Sequence, residues 1–210
     1  MTVNKIGRPS KAPERIAEIL SATAVVAARD GLANTTMSNV AEAAGMQRTL
    51  VLHYFRTRDE LIERFLTDAV AHYGAAMLQP VGSGKSLRQR IIAMFGPDAY
   101  GSRDDLVIWA ELIAMAGRDP KVRERLRVMW TEQWLVEMER QLSSEYPASS
   151  PTTVSAAAYG LACLFEAHWA FHLQDVTGPR RRRQAVEAAH AILGSLENRP
   201  RTDPASRSGA

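Results

Sequence analysis

Apolar residues recur three and four positions apart along most of this chain, and breakers between the runs cut it into pieces of helical length. The clearest breaks are Gly31, Gly45, Pro80 to Gly84, Gly96-Pro97, Gly117, Pro147 to Pro151, Gly178-Pro179 and Pro200. Asp119-Pro120 and Ser150-Pro151 each set a capping side chain ahead of a proline at the first helical position. No stretch alternates β-branched and polar residues with a period of two, so strands are not expected. The pattern predicts an all-α chain of nine helices, at roughly 11–30, 37–44, 47–55, 58–79, 86–95, 103–116, 120–143, 151–175 and 180–197.

Short helices crowd into the first third and long ones follow. The arrangement predicts a three-helix head, residues 11–58, on a larger helical bundle, residues 59–197. The polar flanks 1–10 and 198–210 are expected to be a flexible arm and a disordered tail. Within the head, Thr35-Thr36 can cap a short helix whose Met37, Val40, Ala41 and Ala44 share one face. Gly45 supplies a left-handed turn. The next helix then presents Gln47, Arg48, Thr49, Leu52 and His53 outward, while Leu50, Val51 and Phe55 pack inward. This is the layout of a helix-turn-helix. Arg can bond guanine bidentately, Gln can do so with adenine, and Thr or Leu can touch a thymine methyl.

Charge sharpens that reading only through its distribution. The chain's net charge is +3, with 46% hydrophobic and 23% charged residues, ordinary for a protein with a core. Residues 1–58 nevertheless carry eight Lys and Arg against four Asp and Glu, so the positive surplus lies at the N-terminal end. The single cysteine, Cys163, excludes an intramolecular disulfide and fits a reducing cytoplasm. No apolar h-region opens the sequence, so a signal peptide is not expected. Ser155 to Leu173 is apolar but holds Glu166, His168 and His172, which favours a buried helix over a membrane span. A low-specificity architectural DNA-binding protein, or an enzyme with an unrecognised site, would fit the same composition.

The run from Thr35 to Leu61, with Met37-Ser38-Asn39-Val40-Ala41-Glu42-Ala43-Ala44-Gly45 and His53-Tyr54-Phe55-Arg56-Thr57-Arg58 inside it, resembles the DNA-binding signature of the TetR family. The preceding helix from Ile16, ending in Arg29-Asp30-Gly31-Leu32, matches as well. The resemblance implies a transcriptional regulator, by family default a repressor, with Gln47, Arg48, Thr49 and Leu52 facing bases. Thr36, Ser38, His53, Tyr54 and Arg58 would then lie on the sugar-phosphate backbone. Separately, the arm Gly7-Arg8-Pro9, followed by Lys11, resembles arms that place an Arg in a minor groove, and a solubilising tail fits it equally. The family usually has Ser where Gln47 stands, Gly at Thr49 and Lys at Arg58. Gln is a poorer cap than Ser, so the start of the reading helix is expected to be capped otherwise or frayed.

The 151–175 helix is apolar around most of its circumference and must be covered on two sides. A second copy is the cheapest cover, and the resemblance implies a homodimer through the last two helices. Tyr159, Leu161, Cys163, Leu164 and His168 are the expected interface residues. All four tryptophans lie in the body. Trp109, Met115, Trp130, Trp134, Phe165, Glu166 and Trp169 form the expected effector pocket. Ala158-Tyr159-Gly160-Leu161-Ala162, with His53-Tyr54-Phe55-Arg56, resembles the choline-responsive BetI branch, for which a quaternary ammonium would suit aromatic faces beside a carboxylate. The partners expected are double-stranded operator DNA and such an effector; no cofactor and no metal are expected. Gly82-Ser83-Gly84-Lys85-Ser86 mimics a phosphate-binding loop, but Gln79 stands where that motif needs glycine. His168 and His172, one helical turn apart, lack a third ligand nearby in sequence. The Arg180–Arg183 run opens the last helix, against its dipole. Nothing assembles a catalytic triad or carboxylate pair, so catalysis is not expected.

Overall fold

The structure, a computed structural model, describes residues 11–78, 86–96, 99 and 102–197. The flanking segments 1–10 and 198–210, Arg8 among them, and the glycine-rich 82–85 stretch lie outside the described residues. Two compact units divide at Asp68 and Ala69.

The first unit begins with α1 (Ala12–Asp30), whose buried Ile19, Ala22, Thr23, Val26 and Ala27 repeat at helical spacing. Thr23 is fully buried, and its hydroxyl donates to the Ile19 carbonyl at 2.8 Å. The helix ends at Gly31, with φ 82° and ψ 153°, a conformation essentially closed to side-chain-bearing residues. A 3₁₀ turn (Leu32–Asn34) leads to α2 (Met37–Ala43). Thr36 and Asn39 cap α2 reciprocally: Asn39 N–H donates to the Thr36 hydroxyl, and Thr36 N–H donates to Asn39 Oδ1. After Gly45, at φ 62°, Met46 N–H closes onto the Ala41 carbonyl at 2.9 Å. Then come α3 (Arg48–Tyr54) and α4 (Arg58–Leu78). Val40, Val51 and Leu61, each wholly buried, join α1 to the three helices that follow it.

The second unit holds α5 (Leu87–Ala93), α6 (Arg103–Ala116), α7 (Pro120–Val128), α8 (Leu135–Glu145), α9 (Pro151–Leu173) and α10 (Pro179–Glu197). A π-helical turn at Met129–Trp134 joins α7 to α8, with Leu135 N–H bonding to the Trp130 carbonyl five residues back. The ten α-segments therefore make nine rods among the described residues. Asp119 and Ser150 cap their helices with the prolines at the first position, as the sequence predicts. α9 packs against α6, α8 and α10 and carries the core, through Val154, Ala158, Leu161, Phe165 and Trp169. Among the described residues no helix is long and apolar enough to cross a membrane.

Leu161 departs from its expected place. It is 3% exposed and packs in the chain's own core, so it does not belong to an outward-facing surface of α9.

Candidate functional site

In the first unit the polar candidates gather at one end and along one side of α3. Gln47, Arg48, Thr49 and His53 are exposed, while Val51 is wholly buried and Phe55 nearly so. The alternation is that of a short helix seated by two apolar residues with its polar side free. Leu52, expected outward, is half-buried and packs against the head's core, as does Tyr54. Leu50, expected inward, is half-buried. Tyr54 also meets His53 edge-to-face at 5.1 Å. Gln47 occupies the N-cap position of α3 and makes no capping hydrogen bond with its side chain, in line with its expected weakness there.

Thr36 and Ser38 at the start of α2 are exposed. The Thr36 hydroxyl lies 2.9 Å from Asn39 Oδ1, and Asn39 Nδ2 reaches on to the Asn34 carbonyl at 3.2 Å. Asn39 thus orders the turn before α2 as well as the helix after it. Sequence reading passed it over, although Thr followed three residues later by an amide is the spacing of a reciprocal cap. Arg58 is committed to backbone: Nε donates to the Thr35 carbonyl at 2.7 Å, and Nη2 to those of Leu32 and Ala33 at 2.6 and 3.3 Å. Its Nη1 stands 3.7 Å from Asp59.

In the second unit three of the candidate tryptophans stand in a row of ring contacts. Tyr73 meets Trp109 at 5.7 Å, Trp109 meets Trp130 at 6.3 Å, and Trp130 meets Trp134 at 5.5 Å, all edge-to-face. Trp109 Nε1 donates to Glu166 Oε2 at 3.0 Å. Burial raises the Glu166 pKa above the usual carboxylate range, and the indole N–H opposes that rise. Trp134 is 1% exposed, and its Nε1 has no hydrogen-bond partner among the described residues. Phe165 and Trp169 meet each other at 6.2 Å, with Phe95 on the other side of Phe165 at 6.3 Å, and Met115 is half-buried on α6. Tyr73 was not foreseen. Its hydroxyl donates to Asp105 at 3.3 Å, and burial, with Asp105 beside it, pushes its pKa up.

Tyr159, 64% exposed, Cys163 and Phe171 lie on the outer side of α9 together with Ala156, Ala167 and Ala170. Leu164 and His168 are half-buried; His168 packs against Phe95 at 5.4 Å and Trp169 at 5.1 Å. Burial, then His172 and Arg182, lower the His168 pKa. Between α9 and α10 runs an open groove of about 700 Å³ lined by Thr152, Ala156, Ala191, Ile192 and Ser195 among others. Among the described residues no three His, Cys, Asp or Glu side chains come together as a metal site.

Residues 19–65 match the profile of the bacterial regulatory proteins of the tetR family. The HTH-type transcriptional regulator BetI of Burkholderia cenocepacia is 27% identical over 187 residues, spanning 87% of this chain and 93% of that protein. In fold, a candidate transcriptional regulator from Pseudomonas aeruginosa PAO1 superposes with a TM-score of 0.70 at 17% identity, covering 90% of this chain and 93% of the other. A transcriptional regulator from Rhodococcus sp. Rha1 does so with 0.65 at 20% identity, covering 86% and 95%. With a helix-turn-helix head that matches the tetR-family profile and an all-helical second unit, this chain is similar to TetR-family regulators over most of its length and is a DNA-binding transcriptional regulator.

Proposed function

We propose that two copies of the chain pair through the outer side of α9 and the adjoining face of α10, and that the pair represses from a palindromic operator until a small-molecule effector releases it. Two recognition helices of such a pair enter successive major grooves about 34–36 Å apart. The observation that carries the reading is the exposed Gln47, Arg48, Thr49 and His53 on an α3 anchored by Val51 and Phe55. Gln47, Arg48 and Thr49 take base edges, with Leu52 at their margin. Thr36, Ser38, His53 and Tyr54 take the sugar-phosphate backbone.

The effector is an organic cation of the quaternary ammonium type. Trp109, Trp130 and Trp134 offer aromatic surface, and Glu166 offers a carboxylate hydrogen-bonded to the Trp109 indole. A bound cation would draw the Glu166 pKa back down and keep the carboxylate ionised.

Selection of bound genomic fragments followed by footprinting tests the DNA reading. Arg48→Ala should cost about 1–3 kcal/mol on the selected operator and relax preference at one base position per half-site. Equal losses on operator and random DNA would move Arg48 to the phosphates, and a footprint without two-fold symmetry would remove the paired arrangement.

A further inference from the structure

The segment 31–36 holds a single 3₁₀ turn, in which the Gly31 and Leu32 carbonyls accept from the Asn34 and Thr35 N–H groups at 3.2 and 3.3 Å, and side chains supply further donors to it. Gly31 O accepts from the Thr35 hydroxyl at 3.0 Å, and Asn34 O from Asn39. Leu32, Ala33 and Thr35 turn their carbonyls toward Arg58, on the first residue of α4. Arg58 donates to all three of these carbonyls through two of its nitrogens, Nε and Nη2. Thr35 itself is 1% exposed, and the residue after it caps α2.

We propose that Arg58 is a positioning residue for DNA reading: it fixes the start of α4 to the turn that sets α2, and so holds α3, which packs on α2, in one pose. This rests on the reading of α3 as the recognition helix. The chemistry favours a guanidinium in this place. Its donors sit in a rigid planar fork and can reach three carbonyls on different sides of a tight turn at once. An ammonium carries one nitrogen and cannot span carbonyls that the fork meets through two. Carbonyls are neutral, so the chelation consumes donors and leaves the charge in place. A phosphate clamp needs the reverse, a charge with free donors, and here only Nη1 is left beside Asp59.

The two roles separate in Arg58→Lys, which keeps the charge and removes the fork. Operator and random-sequence DNA affinities are measured across a salt series, with the folded fraction followed by circular dichroism. Arg48→Ala is measured in parallel. Positioning predicts that Arg58→Lys loses at least about tenfold on the operator, as for a lost charge-assisted hydrogen bond. Random DNA should be bound as before, with the salt slope unchanged. Retained operator affinity in Arg58→Lys, with a slope smaller by about one in Arg58→Ala, would make Arg58 a phosphate contact and overturn the proposal. Parallel losses on both DNAs that follow the folded fraction would reduce Arg58 to a stabilising residue and overturn it too. If Arg48→Ala leaves base preference intact, the recognition-helix reading fails instead, whatever Arg58 does.

Discussion

Gly31 and Gly45 both stand at positive φ, yet they answer to different constraints. Gly45, at φ 62°, sits in the left-handed helical region, and a Cβ there would meet nothing within 4 Å. The cost of a side chain is therefore backbone strain alone. Gly45→Ala should lose about 1–2 kcal/mol, and Gly45→Asn less, because Asn visits this region routinely. Gly31, at φ 82° and ψ 153°, lies where side chains are not tolerated, and Gly31→Ala should cost as much or more, about 1–3 kcal/mol. Urea unfolding followed by circular dichroism checks the order; a Gly31→Ala protein more stable than Gly45→Ala would refute it. The turn at Gly45 was legible in the sequence because glycine between two short apolar periods has few other uses. The position of Arg58 was not. Its acceptors are backbone carbonyls 23 to 26 residues away, and a carbonyl leaves no mark on the sequence.

At the level of elements, caps were readable and the π turn was not. Asp119 and Ser150 announce their helices by residue type and by the proline that follows. Met129–Trp134 consists of residues that an α-helix would accept, so its wider turn leaves no mark on the sequence, and it carries two tryptophans in ring contact. Their unequal burial decides what each tryptophan can be used to test. Trp134, 1% exposed, is core, and Trp134→Ala should destabilise the second unit by about 3–5 kcal/mol. Trp130, only partly buried at the other end of the turn, is the better probe. Trp130→Ala should keep the helical fold and operator binding while blunting release by a quaternary ammonium ligand. Titration of operator complexes with choline as the probe checks this, and release undiminished in the variant would take Trp130 out of the site.

For the whole molecule, α9 explains the main misplacement. A helix apolar on every side tells the sequence reader that two faces are covered, but not which residues belong to which. Leu161 falls on the inner face with Ala158, Phe165 and Trp169, and Tyr159 on the outer one. Their substitutions should therefore fail differently. Leu161→Glu places a charge in the core and should abolish folding of the second unit. Tyr159→Glu should give a helical, soluble chain that sediments as a monomer. Sedimentation beside circular dichroism separates these outcomes, and a Tyr159→Glu protein with unchanged mass in solution would remove this face from the interface. The distribution of tryptophan has an optical corollary. All four indoles belong to the second unit, three of them in ring contact, and the first unit has none. Emission excited in the indole band thus reports on the second unit alone, while backbone ellipticity sums the helices of both. If the two signals coincide through a denaturant titration, the units unfold together; if the ellipticity falls first, the reading head melts in the dark.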